Sequence, residues 1–241
     1  MRTLVIGDIH GCRDELEDLL EVFGYAAGDR LFQTGDVVTR GPDTWGAVEM
    51  VSALGIRCVL GNQEARLLST LRRPEATWNL RDREFLSRFQ GHALEVALLV
   101  RNWPLWREES DFVLVHAGLQ PGVRGLRDMD PRVLLHVRTW GGLDGSFEDP
   151  ANPPWFECGH WDKMTVFGHW ADKGLVVRPG LRGLDTGCAS GGRLSGWCPE
   201  EDRIYSVPAR KAKCRWSLGG MDARGGAAAW IERAFGTSRA D

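Results

Sequence analysis

The sequence has no closely spaced cysteine pair, no long apolar run and no recognisable leader. Its six cysteines are scattered over 241 residues, which is typical of reduced thiols in the cytosol and argues against a disulfide framework or a cysteine-bound structural zinc. No apolar stretch approaches a membrane span, and the chain enters a strand at once, without the basic and apolar segment of a secretion signal. We therefore expect a cytoplasmic protein that does not associate with membranes.

A strong excess of either charge is also missing. Lysine and arginine total 30 against 33 for aspartate and glutamate, so the formal net charge of −3 neither favours nor excludes an anionic partner. With 43% hydrophobic and 26% charged residues, the composition is that of a globular protein long enough for a substantial core. Eleven tryptophans are unusual; most are expected in the core or in a lid, and one or two could stack on a base.

Three strand–turn–helix units follow one another in the first third of the chain. Strands are predicted at residues 3–6, 31–35 and 56–60, and each ends in a polar turn with glycine before a helical segment. This order predicts right-handed crossovers and a largely parallel sheet, and hence an α/β fold.

The second half of the chain is dense in predicted strands. They are expected at 112–116 and 164–167, with three or four more between 174 and 207, so a second sheet is predicted to pack on the first. A short helix is expected at 131–137. Residues 141–162 hold four glycines and three prolines with no apolar period, which indicates a long functional or mobile loop.

Polar residues close these predicted strands, each near a glycine. In parallel sheets, functional groups collect at the carboxyl ends of the strands. Carboxylates, an amide oxygen and imidazoles suit two divalent cations, and a pair of cations about 3.5–4 Å apart can share a carboxylate, produce hydroxide near neutral pH and clamp a phosphoryl oxygen. The candidate metal ligands are Asp8, His10, Asp36, Asn62, His116 and His169.

Two arginines and a basic tail are candidates for binding phosphate. Arg40 comes four residues after Asp36 on a glycine-containing turn, where a guanidinium could bind a phosphate through two parallel hydrogen bonds. Arg138 is a similar candidate, and the plain alternative for both is a solvated surface side chain. Residues 208–241 have an excess of positive charge, which is typical of a solvated arm, although a contact with phosphate or RNA is an alternative.

The order of these motifs resembles that of the calcineurin-like metallophosphoesterases, in the phosphoprotein phosphatase branch. The likeness spans roughly residues 3–207. It rests on Gly7-Asp8-Ile9-His10-Gly11, Gly35-Asp36-Val37-Val38-Thr39-Arg40-Gly41, Gly61-Asn62-Gln63-Glu64, His116-Ala117-Gly118 and Gly168-His169.

Within that branch, three further segments look most like the symmetric diadenosine tetraphosphatases, with short bacterial Ser/Thr phosphatases next nearest. These segments are Thr39-Arg40-Gly41-Pro42, Phe167-Gly168-His169-Trp170-Ala171 and Leu184-Asp185-Thr186-Gly187-Cys188. The resemblance implies a four-layer α/β/β/α sandwich of two mixed sheets.

The resemblance also implies the roles of individual residues. It assigns one metal ion to Asp8, His10 and Asp36, and the other to Asp36, Asn62, His116 and His169. It assigns catalytic positions to Asp36, Arg40 and Gln63, and contacts with substrate to Arg40, Asn62 and Arg138.

The sequence departs from the family pattern at Thr39 and Gln63. Protein phosphatases usually have aspartate at the position of Thr39, and the tetraphosphatases often lack it. At Gln63 the family has a histidine that protonates the leaving group, and glutamine has no proton that titrates at neutral pH. Three explanations stay open: a weakly basic leaving group, a replacement proton donor such as His92, His136 or His160, or an introduced or degenerate change that slows turnover.

The predicted protein is a dimetal-dependent hydrolase of phosphoanhydrides or phosphoesters. Mn²⁺ is the first choice of metal, with Fe, Co²⁺, Zn²⁺ or Ni²⁺ as others. The predicted substrate is a dinucleoside polyphosphate such as diadenosine tetraphosphate, cut symmetrically into two ADP, and nucleotide-capped RNA 5′ ends are an extension. The alternatives are a Ser/Thr or Tyr phosphoprotein phosphatase and a weakly active or inactive metal- and nucleotide-binding protein. Residues 1–207 are the predicted catalytic domain, followed by the basic, glycine-rich extension 208–241.

Overall fold

The structure, a computed structural model, describes residues 1–210. Most of the predicted basic extension, residues 211–241, lies outside the described residues. Within the described part, ten strands form two five-stranded sheets. The strands are β1 (Thr3–Ile6), β2 (Arg30–Gln33), β3 (Arg57–Cys58), β4 (Trp106–Glu108), β5 (Phe112–Val115), β6 (Met164–Phe167), β7 (Val176–Arg178), β8 (Leu181–Gly183), β9 (Arg193–Cys198) and β10 (Arg203–Pro208).

Both sheets are mixed. The first has the order β10-β9-β1-β2-β3, in which β1, β2 and β3 are parallel and β9 and β10 add an antiparallel pair beside β1. The second has the order β4-β5-β6-β8-β7, in which β5, β6 and β8 are parallel between two antiparallel edge strands. Each sheet therefore has one edge where the carboxyl ends of parallel strands collect.

Six α-helices connect and cover the sheets within residues 1–210. α1 buries Leu16, Leu19, Leu20 and Phe23 on one face, as its 3.6-residue apolar period predicts. The helices are α1 (Arg13–Phe23), α2 (Thr44–Ala53), α3 (Asn62–Leu71), α4 (Leu80–Ser87), α5 (Ala93–Val100) and α6 (Pro131–His136).

Three hydrophobic clusters separate four layers. On β1, Leu4 and Ile6 belong to the cluster shared with α1 and α2, whereas Val5 belongs to the cluster between the two sheets, because successive side chains of a strand point to opposite faces. On β5, Phe112 faces the first sheet and Val113 faces the layer that contains α6. The α/β/β/α sandwich that the resemblance implied is confirmed.

Some predicted elements differ in extent or partner. The strand predicted at 56–60 pairs with β2 only over the two residues of β3. The last two strands join the first sheet rather than the second, because β9 pairs with β1 from the other end of the chain. Pro42 and Asp43 in the sequence predict the start of a helix; the structure begins α2 at Thr44, since the side chain of Asp43 caps it by accepting the N–H of Gly46.

The predicted loop at 141–162 is anchored by aromatic side chains. It contains no α-helix or extended strand, but Trp155–Glu157 forms a 3₁₀ turn. Trp155 is fully buried and contacts the rings of Phe156, Trp161 and Phe167. The turn therefore forms part of the outer core of the second sheet.

No helix within residues 1–210 combines the length and the apolar character that crossing a membrane requires.

Candidate metal centre

Six polar side chains from both sheets meet where the parallel strands end. Each lies just beyond the carboxyl end of a strand, so the strand fixes the position of the residue and the turn or helix that follows aims its side chain. The first sheet supplies Asp8, His10, Asp36 and Asn62, and the second supplies His116 and His169.

Asp36 lies at the centre of this group. Its Oδ2 is 3.6 Å from Nε2 of His10, and its Oδ1 is 3.6 Å from Nε2 of His116. One ligand atom each from Asp8, Asp36 and His116 lies within 4.8 Å of the other two. The two oxygens of Asp36 thus face different imidazoles, which is an arrangement that could bridge two cations.

Asn62 and His169 complete the group. Nε2 of His116 is 3.2 Å from Oδ1 of Asn62, and the centroids of the His116 and His169 rings are 5.0 Å apart. The backbone N–H of His169 donates to Oδ2 of Asp8 over 3.0 Å, which ties a loop of the second sheet to the first. The fold thus brings all six predicted residues together.

Backbone carbonyls orient two of the imidazoles. Nδ1 of His10 is 3.2 Å from the carbonyl oxygen of Val38, and Nδ1 of His116 is 2.9 Å from that of Thr34. A carbonyl can only accept a hydrogen bond, so Nδ1 carries the proton and Nε2 presents its lone pair toward Asp36. Histidines that ligate metals are commonly anchored in this way through their other nitrogen.

Glu64 braces the turn that carries Asp36. The sequence indicated it only as part of a motif, but its buried carboxylate accepts the backbone N–H groups of Asp36, Val38 and Gly61 at 2.9, 3.0 and 3.1 Å. Burial raises the pKa of Glu64 to about 7, and the nearby charge of Asp36 adds to the rise. Glu64 therefore holds the turn without facing the cluster itself.

Backbone strain is concentrated at this edge. Within residues 1–210, seven residues other than glycine have positive φ, and five of them lie at the cluster or beside it. Each such residue costs about 1–3 kcal/mol and persists only where the surrounding structure enforces it. The five are His10, Asp36, Thr39, Arg40 and His169.

Burial shifts the titration of the carboxylates and imidazoles in opposite directions. It raises the pKa of Asp8 well above its ordinary value, with the charges of Asp185 and Asp36 adding to the shift, and it raises the pKa of Asp36 to about 7. It lowers the pKa of His10 to about 3 and that of His169 well below its ordinary value. The imidazoles are therefore neutral at pH 7, which is the form that binds metal.

The donor set fits divalent cations. Nε2 of His169 is buried and has no hydrogen-bond partner within residues 1–210, although buried polar atoms are nearly always paired. The carboxylates of Asp8 and Asp36 in the same cluster are buried, and burial makes them costly to ionise. Oxygen and imidazole ligands without thiolate suit Mn²⁺, Fe, Co²⁺ or Zn²⁺, so the cluster can hold metal.

Asp185 also belongs to the centre, although the sequence analysis did not place it there. It follows β8 of the second sheet, is buried, and accepts the N–H of Gly187 over 3.1 Å. Its charge contributes to the raised pKa values of Asp8 and Asp36. Because it follows a parallel strand, the strand-end rule that indicated the other residues could have found it.

The two candidate arginines have different surroundings. Arg40 is exposed and makes no hydrogen bond or ion pair with any residue from 1 to 210, while its charge helps to lower the pKa of His10. Arg138 donates to the carbonyl of His169 over 3.3 Å and pairs with Glu148 at 2.9 Å. Arg40 is thus free to bind an anion, and Arg138 is already held beside His169.

Gln63 supports Asp36 through its backbone. Its N–H donates to Oδ1 of Asp36 over 2.9 Å, and its side-chain Oε1 accepts a long hydrogen bond of 3.4 Å from Thr39. Of the histidines considered as replacement proton donors, the ring of His136 is 6.3 Å from that of His169.

The other two candidate donors have partners of their own. His92 stacks on Trp45 with 4.3 Å between ring centroids, and the exposed His160 lies beside Asp162. Among these three histidines, His136 is the one whose ring contacts a residue of the cluster, His169.

Residues 1–192 match the family described as calcineurin-like phosphoesterase. The chain belongs to this family. Because the match covers well over half of the sequence and includes every residue of the cluster, the metallophosphoesterase resemblance is confirmed.

Relatives within the calcineurin-like phosphoesterases carry a narrower name. A symmetrical bis(5′-nucleosyl)-tetraphosphatase from Erwinia tasmaniensis is 30% identical, over 88% of this chain and 99% of its own length. A crystal structure of a protein provisionally named diadenosine tetraphosphatase is 31% identical, with a TM-score of 0.76 over 88% of this chain and 95% of its own.

Protein phosphatases share the fold of this phosphoesterase at greater distance. A protein serine/threonine phosphatase from Saccharomyces cerevisiae is 15% identical, with a TM-score of 0.55 over 88% of this chain and 81% of its own. That likeness concerns the fold alone.

Proposed function

We propose that this phosphoesterase hydrolyses phosphoric anhydrides and cuts dinucleoside tetraphosphates symmetrically into two nucleoside diphosphates. The observation that carries the proposal is the pairing of a complete cluster of metal ligands with glutamine at the family's proton-donor position. A nucleoside diphosphate can leave from an anhydride with little need of a proton, whereas a serine alkoxide is too basic to leave without one. The names of the relatives at about 30% identity support the same substrate.

The proposed metal ligands divide into two overlapping sets. Asp8, His10 and Asp36 would hold one divalent ion, and Asp36, Asn62, His116 and His169 would hold the other. Bound ions would supply a nucleophilic hydroxide near neutral pH and neutralise charge on the phosphoryl oxygens. We favour Mn²⁺ because the ligands are oxygen and imidazole, with Fe, Co²⁺, Zn²⁺ and Ni²⁺ as alternatives.

Arg40 is the proposed phosphate ligand. Its guanidinium is exposed, lies on the turn after Asp36 and is not engaged by another side chain within residues 1–210. A guanidinium presents paired N–H donors that match two phosphate oxygens. Arg138 has a more limited role in this proposal, because it already orients the loop of His169 and can offer only its remaining donors to substrate.

Gln63 can hydrogen-bond to substrate but cannot protonate it. A general acid contributes typically about 10²–10⁴-fold to rate, so substrates with basic leaving groups should suffer most. His136 is the other candidate donor at this site, because its ring lies near that of His169. The third explanation, a degenerate position with slow turnover, predicts a gain of activity when histidine is restored.

Nucleotide-capped RNA 5′ ends are an extension of this substrate class. Trp140 and Trp170 are half-buried, and Trp170 directly follows His169, so their rings are candidates for stacking on a base. We further infer a cytoplasmic site of action, because the described cysteines are free thiols.

A substrate panel with resolved products tests the proposed function. In excess Mn²⁺ we expect diadenosine tetraphosphate to give two ADP at least about 10² times faster than a phosphoserine peptide releases phosphate. Equal rates on the two substrates, or ATP and AMP as products, would contradict the proposal. Tight nucleotide binding without hydrolysis would instead support a metal- and nucleotide-binding protein.

A further inference from the structure

Two buried cysteines and a glutamate lie together, and the proposed hydrolysis uses none of them. One ligand atom each from Cys12, Glu15 and Cys188 lies within 4.8 Å of the other two. The three residues are only 3%, 5% and 3% exposed. We call them the cysteine cluster.

The fold assembles the cysteine cluster from distant parts of the chain. Cys12 is the residue before α1, and Glu15 lies on the same face of the first turn, because residues three apart in a helix are neighbours. Cys188 opens the 3₁₀ turn Cys188–Ser190 after β8. Cysteine spacing along the sequence cannot indicate such a site, which explains why the scattered cysteines suggested only reduced thiols.

The carboxylate of Glu15 makes no ion pair with a side chain of residues 1–210, although the charge of Arg210 acts on it from nearby. Within residues 1–210 it accepts one hydrogen bond, from the backbone N–H of Arg210 over 2.8 Å. The guanidinium of Arg210 instead pairs with Asp14 and Asp18 on the exposed side of α1. The buried carboxylate therefore has lone pairs that no hydrogen bond within residues 1–210 uses, and a cation between it and the two thiols would take them.

We propose that Cys12, Glu15 and Cys188 bind a divalent ion of the Zn²⁺ type, separate from the ions of the candidate metal centre. Thiolates select soft or borderline cations, whereas the oxygen and imidazole ligands of the centre suit harder ones. A tetrahedral zinc ion with bonds of about 2.3 Å to sulfur places two sulfurs about 3.8 Å apart. Sulfurs within 4.8 Å reach that spacing with a shift of at most about 1 Å, while a disulfide needs them about 2 Å apart.

An ion in the cysteine cluster would join the two sheets. Cys12 comes two residues after His10, on the turn that follows β1, and its N–H donates to the carbonyl of Ile9 over 2.9 Å. Cys188 comes three residues after Asp185, on the turn that follows β8. The bound ion would therefore link a turn of the first sheet to a turn of the second and brace both beside the metal centre.

Cobalt is a suitable probe, because thiolate ligands give Co²⁺ a charge-transfer absorption that oxygen and imidazole ligands do not. The full chain, reduced and stripped of metal, is titrated with Co²⁺ and then with Zn²⁺. Because the metal centre also takes Co²⁺, we expect the thiolate band to saturate at the intensity of one thiolate-bound Co²⁺ per chain rather than at a fixed number of added equivalents. The band should disappear when Zn²⁺ displaces Co²⁺ and should be lost in Cys12→Ser and Cys188→Ser. Zinc retained after gel filtration should fall by one equivalent in the same two variants.

Matched variants separate this site from the metal centre and from misfolding. Cys198→Ser replaces another buried cysteine and should keep the band. Asp36→Asn, which damages the metal centre, should also keep it, so failure of the proposed hydrolysis would leave this test intact. Glu15→Gln leaves both thiols in place and should weaken Zn²⁺ binding by at least about tenfold.

Three results would overturn the proposal. The first is a wild-type protein without a thiolate band, which needs no variant to fold. The second is a band that survives in folded Cys12→Ser or Cys188→Ser, with folding checked by circular dichroism. The third is an unchanged Zn²⁺ affinity in Glu15→Gln.

Discussion

The two sheets contribute differently to the edge they share. The first sheet carries its ligands on strained turns, with positive φ at His10 and Asp36, and it supplies the carboxylate that faces two imidazoles. The second sheet supplies His116 at ordinary backbone angles directly after β5, and only its His169 has positive φ. Among the six predicted ligands, the first sheet thus supplies both carboxylates, and the second sheet supplies two imidazoles.

Thr34 connects the two contributions. Its hydroxyl donates to Oδ1 of Asp8 over 2.8 Å, and its carbonyl oxygen is 2.9 Å from Nδ1 of His116. A single residue at the end of β2 therefore orients one ligand from each sheet. Since the sheets depend on each other in this way, a substitution in the first sheet should lower activity by more than the loss of its own contacts would.

The largest expected effect comes from replacing the shared carboxylate of the first sheet. Asp36→Asn keeps the shape but removes the charge between His10 and His116, so loss of several kcal/mol of transition-state stabilisation should lower turnover by about 10³-fold or more. Steady-state hydrolysis of diadenosine tetraphosphate in excess Mn²⁺ measures this loss. Asp18→Asn, on the exposed side of α1, is the control, and its turnover should stay near that of the wild type. A turnover near that of the wild type in Asp36→Asn would contradict the central position of Asp36.

A smaller effect is expected from the brace behind the first sheet's turn. Glu64→Gln replaces a carboxylate that accepts three backbone N–H groups, and supporting contacts of this kind typically change metal affinity by about 10–100-fold. Titration calorimetry with Mn²⁺ measures the change, with Glu84→Gln on the exposed face of α4 as the control. Unchanged Mn²⁺ affinity would show that the strained turn that carries Asp36 keeps its geometry without the carboxylate of Glu64.

A third prediction concerns Gln63, at the start of α3, where a histidine would restore the family's proton donor on the side of the first sheet. If Gln63 is a degenerate position, Gln63→His should raise turnover by at least about tenfold, since general acids contribute typically about 10²–10⁴-fold. The gain should be greatest for alkyl phosphomonoesters, whose leaving groups need a proton. A variant that gains nothing on either substrate would discard this explanation and favour a weakly basic leaving group, with His136→Asn testing the remaining donor.

The pH dependence of Mn²⁺ binding separates carboxylates from imidazoles. The pKa of Asp36 is raised to about 7, so protons compete with the cation below that pH, while His10, with its pKa lowered to about 3, is already neutral. Mn²⁺ affinity should therefore fall as the pH is lowered below 7, by about tenfold per pH unit for each carboxylate that takes up a proton. Asp8, whose pKa burial also raises, adds to this fall. Calorimetry between acidic and mildly alkaline pH checks this; Mn²⁺ affinity that does not change with pH across this range would contradict it.

Local patterns indicated most of the edge, because each ligand follows a short apolar strand and lies beside a glycine. They missed Glu64, whose importance depends on the distant backbone N–H groups of Asp36 and Val38 that it accepts. They also missed Asp185, although it follows a parallel strand as the residues of the cluster do. They also missed the pairing of β9 with β1 and the meeting of Cys12 with Cys188. Each of these contacts joins distant segments, and periodicity within one segment carries no information about its partner.

Anomalous diffraction from crystals soaked in Mn²⁺ tests most directly whether ligands from both sheets bind one pair of cations. We expect two peaks about 3.5–4 Å apart, one contacting Asp8, His10 and Asp36 and the other contacting Asp36, Asn62, His116 and His169. Peaks confined to one sheet, or no manganese between Asp8 and His169, would contradict a centre built from both.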